Sequence, residues 1–195
     1  MAQYTVTISS SYDASPEAFA VPGQLDTVLF VNTSTVAVNI VPVPPQGNGS
    51  APPGTVVPAA TPGGANGQAV MHLLPYTTFN YYIVPVGTSN NYGPYGVEIS
   101  GNPIGIGITG GVATPSVVAI PPNGHLEFLP QDNTYTITWS NQSTNPFSPA
   151  ITTINTAGGR NSQATTTGNL DYTISPPPPG HSRRSGGTVR VKSSR

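Results

Sequence analysis

Five short segments recur in one order along this chain, and the repeat constrains the fold more than any other feature. Pro16-Glu-Ala-Phe-Ala-Val-Pro22 returns as Pro115-Ser-Val-Val-Ala-Ile-Pro121, 99 positions further on. Asp26-Thr-Val-Leu-Phe30 returns as Gly124-His-Leu-Glu-Phe128 with a one-residue slip, and Val36-Ala-Val-Asn-Ile-Val41 returns as Tyr135-Thr-Ile-Thr-Trp139. Phe79-Asn-Tyr-Tyr-Ile-Val-Pro85 matches Leu170-Asp-Tyr-Thr-Ile-Ser-Pro176, and Tyr95-Gly-Val-Glu-Ile99 matches Gly187-Thr-Val-Arg-Val191. Self-similarity at a fixed period means that one structural plan is used twice. It predicts two similar domains, 1–100 and 101–195, joined at Ser100-Gly-Asn-Pro103. Phe30 should then be equivalent to Phe128, and Tyr81 to Tyr172.

The recurring segments carry strand chemistry. Tyr4-Thr-Val-Thr-Ile8 alternates with β-branched residues, and Ile104-Gly-Ile-Gly-Ile108 does so with glycine on its second face. In Thr188-Val-Arg-Val-Lys192 the period of two turns Val189 and Val191 inward and Arg190 and Lys192 outward. Tyr81 and Tyr82 cannot both face a core, because strand neighbours point oppositely. Gly and Pro, 22 and 23 of 195 residues, cluster between these segments and disfavour helices of any length. Disorder is disfavoured in turn: apolar content is 36% before glycine is counted, and net charge is −1. The expected class is all-β, two tandem Greek-key β-sandwiches of about seven or eight strands each.

Charge is scarce and unevenly placed. Residues 1–159 hold six acids and no Lys or Arg, whereas residues 160–195 hold all six bases against Asp171 alone. The body therefore carries −6 and the end +5. A phosphate-binding arm is disfavoured, because no aromatic lies among those bases and the acidic body would repel a polyanion. Opposite patches instead suit contacts between copies of the chain. Arg183, Arg184, Arg190 and Lys192 are the candidate electrostatic contacts. Tyr92 and Tyr95 are a rival aromatic-loop surface. Two long excursions, 42–68 and 142–168, interrupt the strand segments. The first holds seven Pro and six Gly. Loops of that length inside compact domains are candidate binding elements.

Val21-Pro-Gly-Gln-Leu-Asp-Thr-Val-Leu-Phe-Val-Asn32 resembles the early strands of cupredoxins, where a Pro-Gly turn leads into a strand ending in Phe and Asn. Tyr172-Thr-Ile-Ser-Pro-Pro-Pro-Pro-Gly-His-Ser-Arg-Arg-Ser-Gly-Gly-Thr-Val-Arg-Val191 resembles the closing ligand loop and last strand of the same family. Immunoglobulin-like and jelly-roll sandwiches would read similarly. The resemblance implies a type 1 copper site of two His, a Cys thiolate and an axial Met. Here Ser175 stands near the Cys position, His181 matches the loop histidine, and Tyr135–Trp139 supplies no histidine. With no cysteine in the chain, neither that site nor a disulfide can form.

His72 reads as a polar residue at a strand edge, and His125, beside the Asn123-Gly124 turn, as an ordinary surface position. No nucleophile elbow, phosphate-binding loop or dinucleotide fingerprint is present; Gly180-His-Ser182 runs into Arg183-Arg184 instead of the glycine such an elbow needs. No membrane-spanning run or signal peptide is expected, so an extracellular or particle-associated location would require the chain to be a mature form. These readings lead to a non-catalytic structural protein, without metal or cofactor, that associates with itself as a coat, capsid, sheath or filament subunit. The alternative is a module that binds a glycan or protein through the two excursions.

Overall fold

The computed structural model describes residues 2–21, 26–43, 51–74, 78–99, 101–140, 144–157, 161–176 and 185–192. Every regular element among them is a β-strand. The first half contributes β1 (Gln3–Ile8), β2 (Ala14–Ser15), β3 (Ala18–Val21), β4 (Thr27–Asn32), β5 (Val38–Val43), β6 (Thr55–Val57), β7 (Gly67–His72), β8 (Phe79–Pro85) and β9 (Tyr92–Ile99). They form two sheets, ordered β2-β1-β4-β7 and β3-β9-β8-β5-β6. The second half contributes β10 (Ile104–Thr109), β11 (Val112–Thr114), β12 (Val117–Ile120), β13 (His125–Pro130), β14 (Tyr135–Trp139), β15 (Phe147–Ser148), β16 (Thr153–Ile154), β17 (Ser162–Ala164), β18 (Gly168–Ser175) and β19 (Ser185–Val191). Their sheets run β11-β10-β13-β17-β15 and β12-β19-β18-β14-β16.

The two halves share one wiring. β1 pairs parallel with β4, Val6 opposite Phe30, as β10 pairs parallel with β13, Ile106 opposite Phe128. β3 pairs parallel with β9, Phe19 opposite Val97, as β12 pairs parallel with β19, Val118 opposite Val189. β4 and β13 even alternate identically between half-buried and buried positions. The expected all-β tandem sandwich is what forms. Its strand count among the described residues exceeds the expectation, nine and ten per half, because parts of the excursions pair. β6 comes from 42–68, and β15, β16 and β17 from 142–168.

Alternation places the apolar residues. Val6, Ile8, Val28, Phe30, Ile40, Tyr81, Ile83 and Val97 belong to one buried cluster, drawn from Val6 to Ile99. Ile106, Leu126, Phe128, Ile137, Tyr172, Ile174 and Val189 belong to a second, drawn from Ile104 to Val191. Each fully buried side chain of this size contributes about 1.5–3 kcal/mol. Phe30 meets Tyr81 edge-on at 5.4 Å and 79°, and Phe128 meets Tyr172 at 5.1 Å and 78°. The same aromatic pair thus anchors both cores. The hydroxyls of Tyr81 and Tyr172 are both buried without a hydrogen-bond partner among the described residues, and burial pushes both phenols well above their ordinary value. No helix among the described residues is long and apolar enough to cross a membrane.

Candidate functional site

The two sandwiches meet where β12 lies against the outer face of β9 and β8. Asn80 is on β8, one residue before the core residue Tyr81, so alternation turns its amide outward. Its Nδ2 donates to the Ala119 carbonyl at 2.8 Å, and the Ala119 N–H donates to its Oδ1 at 3.0 Å. The side-chain amide therefore pairs with β12 as a strand's peptide group would. Gly96 permits the approach. A Cβ there would fall 2.3 Å from the Ala119 carbonyl oxygen.

Glu98, two residues along the same outward face, closes the contact. Its Oε1 lies 2.7 Å from His125 Nδ1, and its Oε2 accepts the His125 backbone N–H at 2.8 Å. Burial holds the Glu98 carboxyl above its ordinary range, and the bonds from His125 oppose that rise. A desolvated carboxylate is tolerated here because both oxygens have a partner. His125, expected at an ordinary surface position, is instead half-buried at the junction. Neither Asn80 nor Glu98 was singled out from the sequence. An acid alone in an otherwise uncharged strand was the available signal.

The equivalent charge of the other closing strand also crosses between sandwiches. Arg190 of β19 donates from Nη1 to the Gly93 carbonyl at 3.1 Å, and Lys192 Nζ lies 3.1 Å from Glu17 Oε2. These two bases point outward as expected, but their partners belong to the same chain. They line an open polar cleft of about 390 Å³ with Asp13, Glu17, Asn91 and Tyr92. The Lys192 and Glu17 side chains are 34% and 45% exposed, so the pair contributes no more than about 1 kcal/mol. Arg183 and Arg184 lie outside the described residues, as does His181.

Tyr92 and Tyr95, expected on an exposed aromatic loop, are both in β9. Tyr95 is only 5% exposed; its ring is 5.5 Å from Tyr81 and its hydroxyl donates to the Tyr12 carbonyl at 3.1 Å. Burial raises its phenol to about 12. Tyr92 is half-buried against Tyr12, with ring centroids 5.0 Å apart. Tyr95 is thus a core residue that also borders the cleft, which Tyr92 lines beside it.

Of the remaining titratable groups, Asp132 has a structural part. Asp132 accepts the Gly110 N–H at 2.6 Å and the Tyr135 hydroxyl at 2.8 Å, which ties the β10–β11 turn to the turn before β14. The Gly110 bond chiefly holds its carboxyl below the ordinary value. Burial raises Glu127. His72 is exposed at the end of β7, the edge strand of its sheet. Among the described residues, no three or more His, Cys, Asp or Glu side chains gather where they could hold a metal ion.

No family model and no curated protein matches the chain. Several solved structures are similar to it at low identity. A Cu-containing nitrite reductase (NirK) from Thermus scotoductus SA-01 is 14% identical over 97% of this chain and 67% of its own, with a TM-score of 0.33. A multicopper oxidase is 11% identical over 97% of this chain and 88% of its own, at 0.37. A multicopper oxidase from Campylobacter jejuni, described as a metallo-oxidase, is 10% identical over 99% of this chain and 58% of its own, at 0.35. Likenesses at this level carry no argument about activity, and the tandem-sandwich architecture rests on the strand pairing itself.

Proposed function

We propose that this chain is a non-catalytic structural protein that associates with copies of itself, as a coat, capsid, sheath or filament subunit does. The observation that carries this reading is how little charge the molecule presents to a neighbour. Only 13 of its 195 residues are charged. Arg190 and Lys192, which the charge map offered to another copy, reach acceptors in their own chain. A weakly charged surface lacks the mutual repulsion that keeps proteins apart. On the same reading the sandwiches are two cupredoxin-like domains, 1–100 and 101–195, without copper ligands. The separate buried clusters support that division, and Ser175 with the histidine-free strand β14 supports the loss of the site.

Size-exclusion chromatography with light scattering, and negative-stain imaging of the peak, test the reading. Particles, fibres or discrete oligomers are expected, and ammonium sulfate should strengthen them, since salting-out favours apolar burial. Association that weakens as salt rises would return the contact to charge, with Arg183 and Arg184 as the bases to replace by Glu. A 20.0 kDa monomer at every concentration would overturn self-association.

The cleft lined by Asp13, Glu17, Asn91, Tyr92, Arg190 and Lys192 favours a second reading, a module for a glycan or protein ligand. Hydrogen bonding groups of both kinds beside a tyrosine ring suit such a ligand. Protection of the Asn91 and Tyr92 amides from exchange on adding candidate glycans would support it.

A further inference from the structure

The internal repeat makes each sandwich a control for the other, because strand register fixes which positions are equivalent. Ile40 lies opposite Ile83, and Ile137 lies opposite Ile174. Around those core pairs the outward positions match one to one. Val41 opposite Tyr82 corresponds to Thr138 opposite Thr173, and Asn39 opposite Val84 corresponds to Thr136 opposite Ser175. On the adjoining edge strand, Val56 beside Asn39 corresponds to Thr153 beside Thr136. In the second sandwich all five outward residues carry a hydroxyl, the usual solution for a β-face in water. In the first, three of the five are valines, and Tyr82 adds an aromatic ring with its hydroxyl. Val41 and Val56 are 44% and 56% exposed, and Tyr82 and Val84 are half-buried. One fold position thus has two chemistries, and only one of them suits solvent.

This apolar face continues an interface already in place. Asn80, Gly96 and Glu98 belong to the same outer face of the sheet, and the second sandwich covers them there. Among the described residues, the part built from β5, β6 and the far end of β8 is left open, with Val41 and Val56 the most exposed there. It offers no ion-pair partner to an occupant, since residues 27–97 contain no Asp, Glu, Lys or Arg. A two-fold contact sets a surface against itself, which repels when the surface carries one sign of charge and attracts when it is apolar. We propose that Val41, Val56, Tyr82 and Val84 form the surface on which a second copy of this chain docks, face to face about a two-fold axis. This deepens the self-association reading and rests on it.

The second sandwich supplies the test variant. Val41→Thr, Val56→Thr and Tyr82→Thr together install the residues it uses at the equivalent positions, all compatible with strands. Val112→Thr, at a valine 50% exposed on the second sandwich, is the control. Sedimentation velocity of the full chain should show dimerisation at least about tenfold weaker in the triple variant and unchanged in the control. The single variant Val56→Thr, at the most exposed position, should weaken it in the same direction and covers the case in which the triple variant does not fold. Equal association of wild type and both variants would overturn this face and leave self-association through another surface. A wild-type chain that never associates would overturn both. Protection of the β5 and β6 amides by phosphatidylcholine vesicles, with the chain monomeric, would assign the face to a lipid surface and also overturn the proposal.

Discussion

Replacing Tyr81 or Tyr172 by phenylalanine should stabilise this protein, although each change removes a polar group from the centre of a sandwich. Both hydroxyls are buried with no hydrogen-bond partner among the described residues, while the rings that carry them pack edge-on against Phe30 and Phe128. Phenylalanine keeps the ring and its neighbour. It removes an oxygen that gave up water and received no bond in return. Such a group costs about 1–3 kcal/mol, and the small void left by the oxygen returns part of that gain. The expected net is about 1 kcal/mol of stabilisation per site, which raises the melting temperature by about 2–4 °C for a chain of this size. The two gains should add, because the tyrosines belong to separate clusters. Equilibrium denaturation in urea at neutral pH measures this directly. Alkaline pH supplies a second, signed readout. Above about pH 10 the unfolded chain sheds its phenolic protons while the native cores retain those of Tyr81 and Tyr172. The native state then binds more protons, so stability falls as pH rises. The double variant should lose part of that fall. Destabilisation by 1 kcal/mol or more in either variant (about the worth of one hydrogen bond) would refute the reasoning, since it would mean that the hydroxyl bonds a buried water.

Three further outcomes are expected. Gly96→Ala places a methyl 2.3 Å from the Ala119 carbonyl oxygen and should cost about 1–3 kcal/mol, read as a lower urea midpoint. Glu98→Gln should flatten the pH dependence of stability above the ordinary carboxyl value of 4.5. The native carboxyl there holds a proton that the unfolded chain has lost, so wild-type stability declines as pH rises through that window; an unchanged slope in the variant would count against the buried pair. Copper(II) added to the protein should give no intense band near ~600 nm, the thiolate charge-transfer region, because no cysteine is present; a blue species would overturn the ligand assignment.

What was legible in the sequence follows the range of the interaction involved. The repeat made Phe30 equivalent to Phe128 and Tyr81 to Tyr172, and the two-residue period set strand neighbours on opposite faces, because strand alternation is a local rule. The same rule turned Arg190 and Lys192 outward and set Tyr81 and Tyr82 on opposite faces. It could not say what those outward residues meet. Asn80 pairs with a backbone 39 positions away, and Glu98 with a histidine 27 positions away. Contacts between domains leave no periodic trace in either segment. Tyr95 was misplaced for a different reason: it follows Gly93 and Pro94, residues that usually interrupt a strand, yet β9 includes both, with a shift of register against β8 there. β6 was hidden similarly, three residues of strand between Pro53 and Pro58.

The order in which the chain is synthesised gives the Asn80 clasp a temporal consequence. The first sandwich has all its strands once Ile99 has been added, but its partner strand β12 ends 21 residues later, at Ile120. At about 5–20 residues per second, a nascent first sandwich spends on the order of a second or more with its whole outer face bare. During that interval the Asn80 amide and the Glu98 carboxylate are hydrated rather than paired, beside the exposed valines of β5 and β6. Chains growing side by side on one message would meet through that face before their own second halves existed to cover any of it. Pauses that lengthen the interval between the emergence of Ile99 and that of His125 from the ribosome would therefore favour mispaired products, and rapid translation over that interval would protect against them.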